Sequence, residues 1–169
     1  MSSCQKLQAH VRAPLLADSP LLTYQVTDRV VLAGQPEPDD WARLARQGVA
    51  LVINVRSDPQ RAAAQAQSAA AAGLAYVHLN VPAYELETEH VAAFEQALQQ
   101  ADAGTIVVHC RTASRVALLW LLRRMLHDGW SQTAAEAELA AAGYQDDDME
   151  VFRFCTEDFL ERAEMPETP

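Results

Sequence analysis

The stretch Thr105-Ile-Val-Val-His-Cys-Arg-Thr-Ala-Ser-Arg-Val-Ala-Leu-Leu-Trp120 changes character twice. Thr105 to His109 is β-branched and follows Gly104, the pattern of a strand buried on both faces. Val116 to Leu126 is almost continuously apolar and is followed by His127 and Gly129, with Arg123 and Arg124 in its last turns, all helix C-terminal signals. The segment between them is short and polar and carries Cys110, Arg111 and Arg115. A strand, a tight turn and a helix are therefore expected to meet around Cys110. Such a turn aims successive backbone N–H groups and the positive end of the helix dipole at one spot, where an anion can sit and a thiol can lose its proton. A cysteine that ends a buried strand is more often an inert core residue. The polar, two-arginine segment that opens the next helix favours the reactive reading.

Outward from this stretch, strand and helix patterns alternate. Leu21 to Val26 and Arg29 to Ala33 read as two short strands split by Thr27-Asp28, and Gly34-Gln-Pro-Glu-Pro-Asp-Asp40 as a turn into a helix with Trp41, Leu44 and Ala45 on its apolar face. A strand at Ala50 to Val55, an alanine-rich helix from Asp58 to Ala72 and a strand from Leu74 to Val81 follow. Val91, Phe94 and Leu98 mark one face of a helix from about Glu89 to Ala101. Beyond the opening stretch, Ser131 caps a helix closed by Gly143, and Asp146-Asp-Asp148 starts a last helix through Glu161. The alternation predicts an α/β fold with a central, mostly parallel, four- to five-stranded sheet flanked by helices. Ligands of such sheets bind beyond the carboxyl ends of the strands, here the loops Arg56 to Gln60, Pro82 to Thr88 and Cys110 to Arg115.

The 169 residues suit one domain, taken as residues 20–163 between a lead-in (1–19) and a tail (164–169). A net charge of −10 argues against nucleic acid as a partner while leaving room for a local basic pocket. Cys4, Cys110 and Cys155 are too few and too scattered for a disulfide framework or a metal site, and the five histidines show no ligand spacing. No metal or cofactor is expected. No run of about 18 apolar residues and no basic-then-apolar leader appears, so a cytoplasmic protein without membrane contact is expected.

Cys110 to Arg115, preceded by His109 and a hydrophobic strand, resembles the phosphate-binding loop of the cysteine-dependent protein tyrosine and dual-specificity phosphatases. Leu32-Ala-Gly-Gln-Pro36, Gly48 to Arg56, Ala72 to Pro82 and His109 to Arg115 together resemble, in order, a bacterial family of phosphatase-like domains found alone or fused to β-lactamase-like hydrolases. That resemblance implies a cysteine-dependent phosphatase-like fold and hydrolysis of a phosphorylated small molecule or phosphoprotein. Cys110 would attack phosphorus to form a phosphocysteine, Arg115 would grip two oxygens bidentately, and the backbone of Arg111, Thr112, Ala113, Ser114 and Arg115 would hold the rest. His109 would support the cysteine through its ring or simply pack at the strand end. Glu85 or Glu87, with Asp58 behind them, would serve as general acid. Arg56 and Tyr84 would line the pocket.

The loop departs from the phosphatase pattern at three points. Four residues separate Cys110 from Arg115 where five are usual, Ala113 stands at the usual glycine, and Val116 replaces the hydroxyl residue that follows the arginine. A six-residue loop also resembles that of the rhodanese-like sulfurtransferases, which carry a persulfide on cysteine. A catalytically weak anion-binding module is the remaining reading.

Overall fold

The computed structural model describes residues 15–83 and 85–163, so the lead-in up to residue 14, Tyr84 and the tail from residue 164 lie outside the described residues. Five strands form one sheet in the order β1-β2-β5-β3-β4: β1 (Thr23–Gln25), β2 (Val30–Ala33), β3 (Val49–Asn54), β4 (Ala75–His78) and β5 (Thr105–His109). Only β1 runs antiparallel to its neighbour, so the sheet is mostly parallel. Helices α1 (Asp40–Arg46), α2 (Pro59–Ala71), α3 (Thr88–Leu98), α4 (Ser114–Asp128), α5 (Gln132–Ala142) and α6 (Asp146–Arg162) cover both faces.

The near-continuous apolar runs of β2, β3 and β5 follow from this layering, because alternate side chains serve two cores. Val31, Val52 and Val107 pack with Trp41, Leu44 and Ala69 on one side. Leu32, Ile53 and Val108 pack on the other with Phe94, Leu119, Leu122 and Phe159. Each such fully buried large side chain stabilises the fold by roughly 1.5–3 kcal/mol.

Three expectations shift. The strand expected over Leu74 to Val81 pairs only from Ala75 to His78, after which the Leu79 N–H donates to the Asn54 carbonyl and the chain leaves the sheet. The helix expected to reach Ala101 stops at Leu98. The ordered core begins before residue 20: Leu16 is buried against Trp41 and Leu44, and the Ser19 hydroxyl donates to the buried Asp40 carboxylate at 2.6 Å.

Register decides where the site can be. His109 pairs with Ala33 on one side and Asn54 on the other, and Asn54 pairs with His78, so the four parallel strands end in step. The segments after Ala33, Asn54, His78 and His109 therefore emerge along one edge of the sheet.

Candidate active site

Cys110 follows β5 and is only 2% exposed. Its N–H donates to the Ala33 carbonyl at 3.3 Å, the Gln35 N–H donates to the Arg111 carbonyl at 3.2 Å, and Gly34 bridges Thr112. A Cβ on Gly34 would lie 3.3 Å from the Arg111 carbonyl oxygen, so glycine lets the two loops approach this closely. Ala113 then turns the chain into α4 with φ 68° and ψ 5°, a left-handed conformation that costs a β-carbon residue about 1–2 kcal/mol. The expected glycine-like turn at this position is thus made by alanine.

A residue far along the chain holds that turn. The Tyr144 hydroxyl, buried, donates to the Ala113 carbonyl at 2.7 Å. Its ring stacks on Tyr24 at 3.9 Å and meets Phe152 edge-on at 5.3 Å. Burial, and next the charge of Cys110, raise the phenol well above its ordinary range, so it remains a donor.

Arg115 lies in the first turn of α4, where amide groups lack intrahelical acceptors. Its Nη1 donates to the carbonyls of Val55 (3.3 Å) and Val81 (3.1 Å), tying the loops after β3 and β4 to the cysteine loop. Beside it, the Arg56 Nη1 donates to Gln35 Oε1 at 2.8 Å. Gln35 Oε1 also accepts from Gln65, whose own amide oxygen accepts from Asn54. Burial holds the Arg56 guanidinium below its ordinary range, and Arg61, Arg111 and Arg115 push the same way, opposed by Asp58. Arg56 thus stands in the field of three other arginines and of one carboxylate. Of these arginines, among the described residues only Arg61 forms an ion pair, to Asp58 at 3.5 Å; Arg56, Arg111 and Arg115 have none.

The acid candidates separate. Asp58 caps α2, accepting from the Gln60 and Arg61 N–H groups at 3.0 and 3.2 Å, and remains the carboxylate that acts on Arg56. Glu85 and Glu87, both exposed, instead stand in the field of Arg162 at the end of α6, with Glu87 Oε1 3.9 Å from its Nη1. Thr112 and Ser114 are exposed and contact each other through their hydroxyls at 3.4 Å. His109 is fully buried, its Nδ1 3.4 Å from the Cys110 carbonyl and its Nε2 without a partner, edge-on to Trp41 at 6.2 Å. Burial lowers its pKa to about 4, so the ring is neutral near pH 7. The sequence reading did not assign roles to Gln35, Arg61 or Tyr144. Gln35 has a local signal in the Gly-Gln-Pro turn, whereas Tyr144 has none.

A buried cysteine thus ends a central strand of a mostly parallel sheet, at a strand-to-helix turn that carries Arg111 and Arg115. Solved structures of that fold superpose well: one from Neisseria meningitidis (TM-score 0.65, 24% identity, 78% of this chain and 96% of that one) and TpbA from P. aeruginosa (TM-score 0.63, 21% identity, 80% and 83%). The chain belongs to the phosphatase-like domain family of the beta-lactamase hydrolase-like proteins, which it matches over residues 23–127. The beta-lactamase hydrolase-like protein of Xylella fastidiosa strain Temecula1 is 30% identical over 124 residues, 70% of this chain and 28% of the relative. The chain therefore spans under a third of that relative's length.

Proposed function

We propose that the chain is a phosphoric monoester hydrolase working through a phosphocysteine on Cys110. The observation that carries this reading is that Arg56, Arg111 and Arg115, on the Cys110 loop and the loop after β3, form no ion pair among the described residues. An acidic protein that keeps three arginines out of ion pairs beside a cysteine is suited to receive an anion there. The Cys110 thiolate attacks phosphorus as the P–O bond breaks, Arg115 stabilises the equatorial oxygens, and a carboxylic acid gives its proton to the leaving oxygen. Water then attacks phosphorus, the P–S bond breaks, the thiolate is regenerated, and the carboxylate takes the water's proton. We assign the acid to Asp58, because it is the carboxylate that acts on Arg56 while Glu85 and Glu87 face Arg162. The protein works in a reducing compartment, the cytoplasm, with Cys110 and Cys155 unpaired. Among the described residues no helix is long and apolar enough to cross a membrane.

A second reading, sulfur transfer through a Cys110 persulfide, is favoured by one observation: only four residues separate Cys110 from Arg115. The deciding experiment measures p-nitrophenyl phosphate hydrolysis and thiosulfate:cyanide sulfur transfer on one preparation, with Cys110→Ser as the blank. Vanadate-sensitive hydrolysis that disappears in Cys110→Ser upholds the hydrolase. Sulfur transfer without hydrolysis replaces it.

A further inference from the structure

The Cys110 loop makes its last turn at a residue ill suited to it. Ala113 sits at φ 68° and ψ 5°, in the left-handed region where a β-carbon crowds the following carbonyl oxygen. Resting on the hydrolase reading, we propose that Tyr144 is a positioning residue for the reaction. Its hydroxyl holds Ala113 in this turn and so aims the Ser114 N–H at the phosphoryl oxygens, a task that Ala113→Gly would make unnecessary.

Tyr144 reaches the loop from the link between α5 and α6, beyond the segment 23–127 that matches the family. Its hydroxyl donates to the Ala113 carbonyl at 2.7 Å, and its ring is fixed by Tyr24, stacked at 3.9 Å, and by Phe152, edge-on at 5.3 Å. Ala113 is wholly buried, so its carbonyl has no water to turn to when the hydroxyl is removed.

In a trans peptide the C=O and the following N–H point opposite ways. Pinning the Ala113 carbonyl on Tyr144 therefore turns the Ser114 N–H away from the buried rings, toward the side of the loop where Thr112 and Ser114 are exposed. Ser114 opens α4, so this N–H is among those the helix leaves without an acceptor of its own. The Gln35 N–H acts in the same way on the preceding part of the loop by taking the Arg111 carbonyl at 3.2 Å, which turns the Thr112 N–H. Two pinned carbonyls thus present two N–H groups to an anion beside Cys110. Glycine populates positive φ about as readily as negative φ, so at this position it would hold the turn unaided. Coupling between positions 113 and 144 is what separates positioning from packing.

The test is a double-mutant cycle in the full chain, with Tyr144→Phe and Ala113→Gly made singly and together and assayed where every variant is folded. It reads kcat and KM for p-nitrophenyl phosphate, and the vanadate concentration that half-protects Cys110 from iodoacetamide at fixed pH. Tyr144→Phe is expected to lower kcat about 10-fold at unchanged KM, because the loop amides meet charge that develops in the transition state. The half-protecting vanadate concentration rises by a similar factor, since vanadate on a thiolate takes the five-coordinate shape of that state. In the Ala113→Gly background the same loss shrinks to about twofold. Arg124→Met, which breaks ion pairs at the far end of the sheet, keeps the parental kcat. Parental kcat in Tyr144→Phe, or an equal loss in the alanine and glycine backgrounds, overturns the proposal. A fall in Arg124→Met as large as that in Tyr144→Phe assigns the effect to stability and overturns it as well. A parent chain without Cys110-dependent hydrolysis sinks the hydrolase reading alone, and the cycle is then decided by vanadate protection. If vanadate does not protect the parent, the loop is no anion receptor and the positioning role falls too.

Discussion

Two groups of arginines sit at opposite ends of the same sheet, and their surroundings differ. At the amino ends of β2 and β5, Arg123 ion-pairs with Glu95 and Asp128, and Arg124 with Asp128 and Glu138. Both guanidinium groups also lie over the Trp120 ring, at 5.0 and 4.8 Å. Arg123 holds the Glu95 carboxyl below its ordinary range, and Glu138 takes the Trp120 indole N–H at 2.6 Å besides Arg124. At the carboxyl edge, Arg115 donates to two backbone carbonyls and Arg56 to an amide, with Asp58 as the carboxylate that acts on Arg56. Both groups concentrate positive charge on an acidic chain, but only Arg123 and Arg124 are closed into ion pairs among the described residues. Closed ion-pair networks brace helices against one another; an open cluster at the edge where ligands of parallel sheets bind is a receptor for anions.

The contrast can be broken experimentally, and the largest effect belongs to the open cluster. Arg115→Ala is expected to lower kcat/KM for an aryl phosphate by about 10³-fold, with Arg115→Lys recovering little because an ammonium cannot form the planar fork. Stopped assays of both variants check this, and near-normal activity in the alanine variant removes Arg115 from the chemistry.

Next in size is the buried histidine that ends β5. His109 has a folded pKa of about 4, below its unfolded value, so between pH 4 and 6.5 the unfolded chain binds the extra proton and stability rises with pH across that window. Urea unfolding should show a loss of up to roughly 3 kcal/mol on going from pH 7 to 4 through this group, at about 1.36 kcal/mol per unit. His109→Phe should flatten that dependence, and an unchanged slope would show that other groups set it.

Smaller effects separate the clusters directly. Arg124→Met strands Glu138 and Asp128 in a part-buried site, where its own side chain is 15% exposed, and should destabilise by about 2–3 kcal/mol. Arg56→Gln breaks no ion pair, and the attraction to Asp58 that it removes is offset by relief of repulsion from Arg61, Arg111 and Arg115, so its unfolding free energy should stay within about 0.5 kcal/mol of the parent. Equal losses in the two variants would erase the distinction between them. Tyr144→Phe removes one buried hydrogen bond to Ala113 and should cost about 1 kcal/mol, together with a fall in kcat at unchanged KM as the loop loosens. A stability loss with no kinetic change would confine Tyr144 to packing.

Much of this was legible in the chain. The apolar run before Cys110 and the Gly and Arg signals after it mark a strand and a helix because periodicity and capping are local physics. Asp58-Pro59 reads as a helix start and caps one, for the same reason. Local signals misjudged the stretch after His78, where pairing partners rather than propensity decide how far a strand extends. They also set Glu85 and Glu87 ahead of Asp58 as candidate acids on one edge. Only the fold shows that Arg162, from the last helix, faces the two glutamates, while Asp58 acts on Arg56.

By itself the sequence determined a mostly parallel α/β sheet, the position of a cysteine at a strand-to-helix turn, and the family. Those depend on residues adjacent in the chain or repeating at a short period. Tertiary structure alone decided which arginines are drawn into ion pairs and how an alanine is kept in a left-handed turn. The first rests on pairings such as Arg124 with Glu138 and Arg56 with Gln35, the second on Tyr144 donating to Ala113 from the link between α5 and α6. Coulomb and hydrogen-bond energies act through space, so no reading along the chain could count them before the chain had folded.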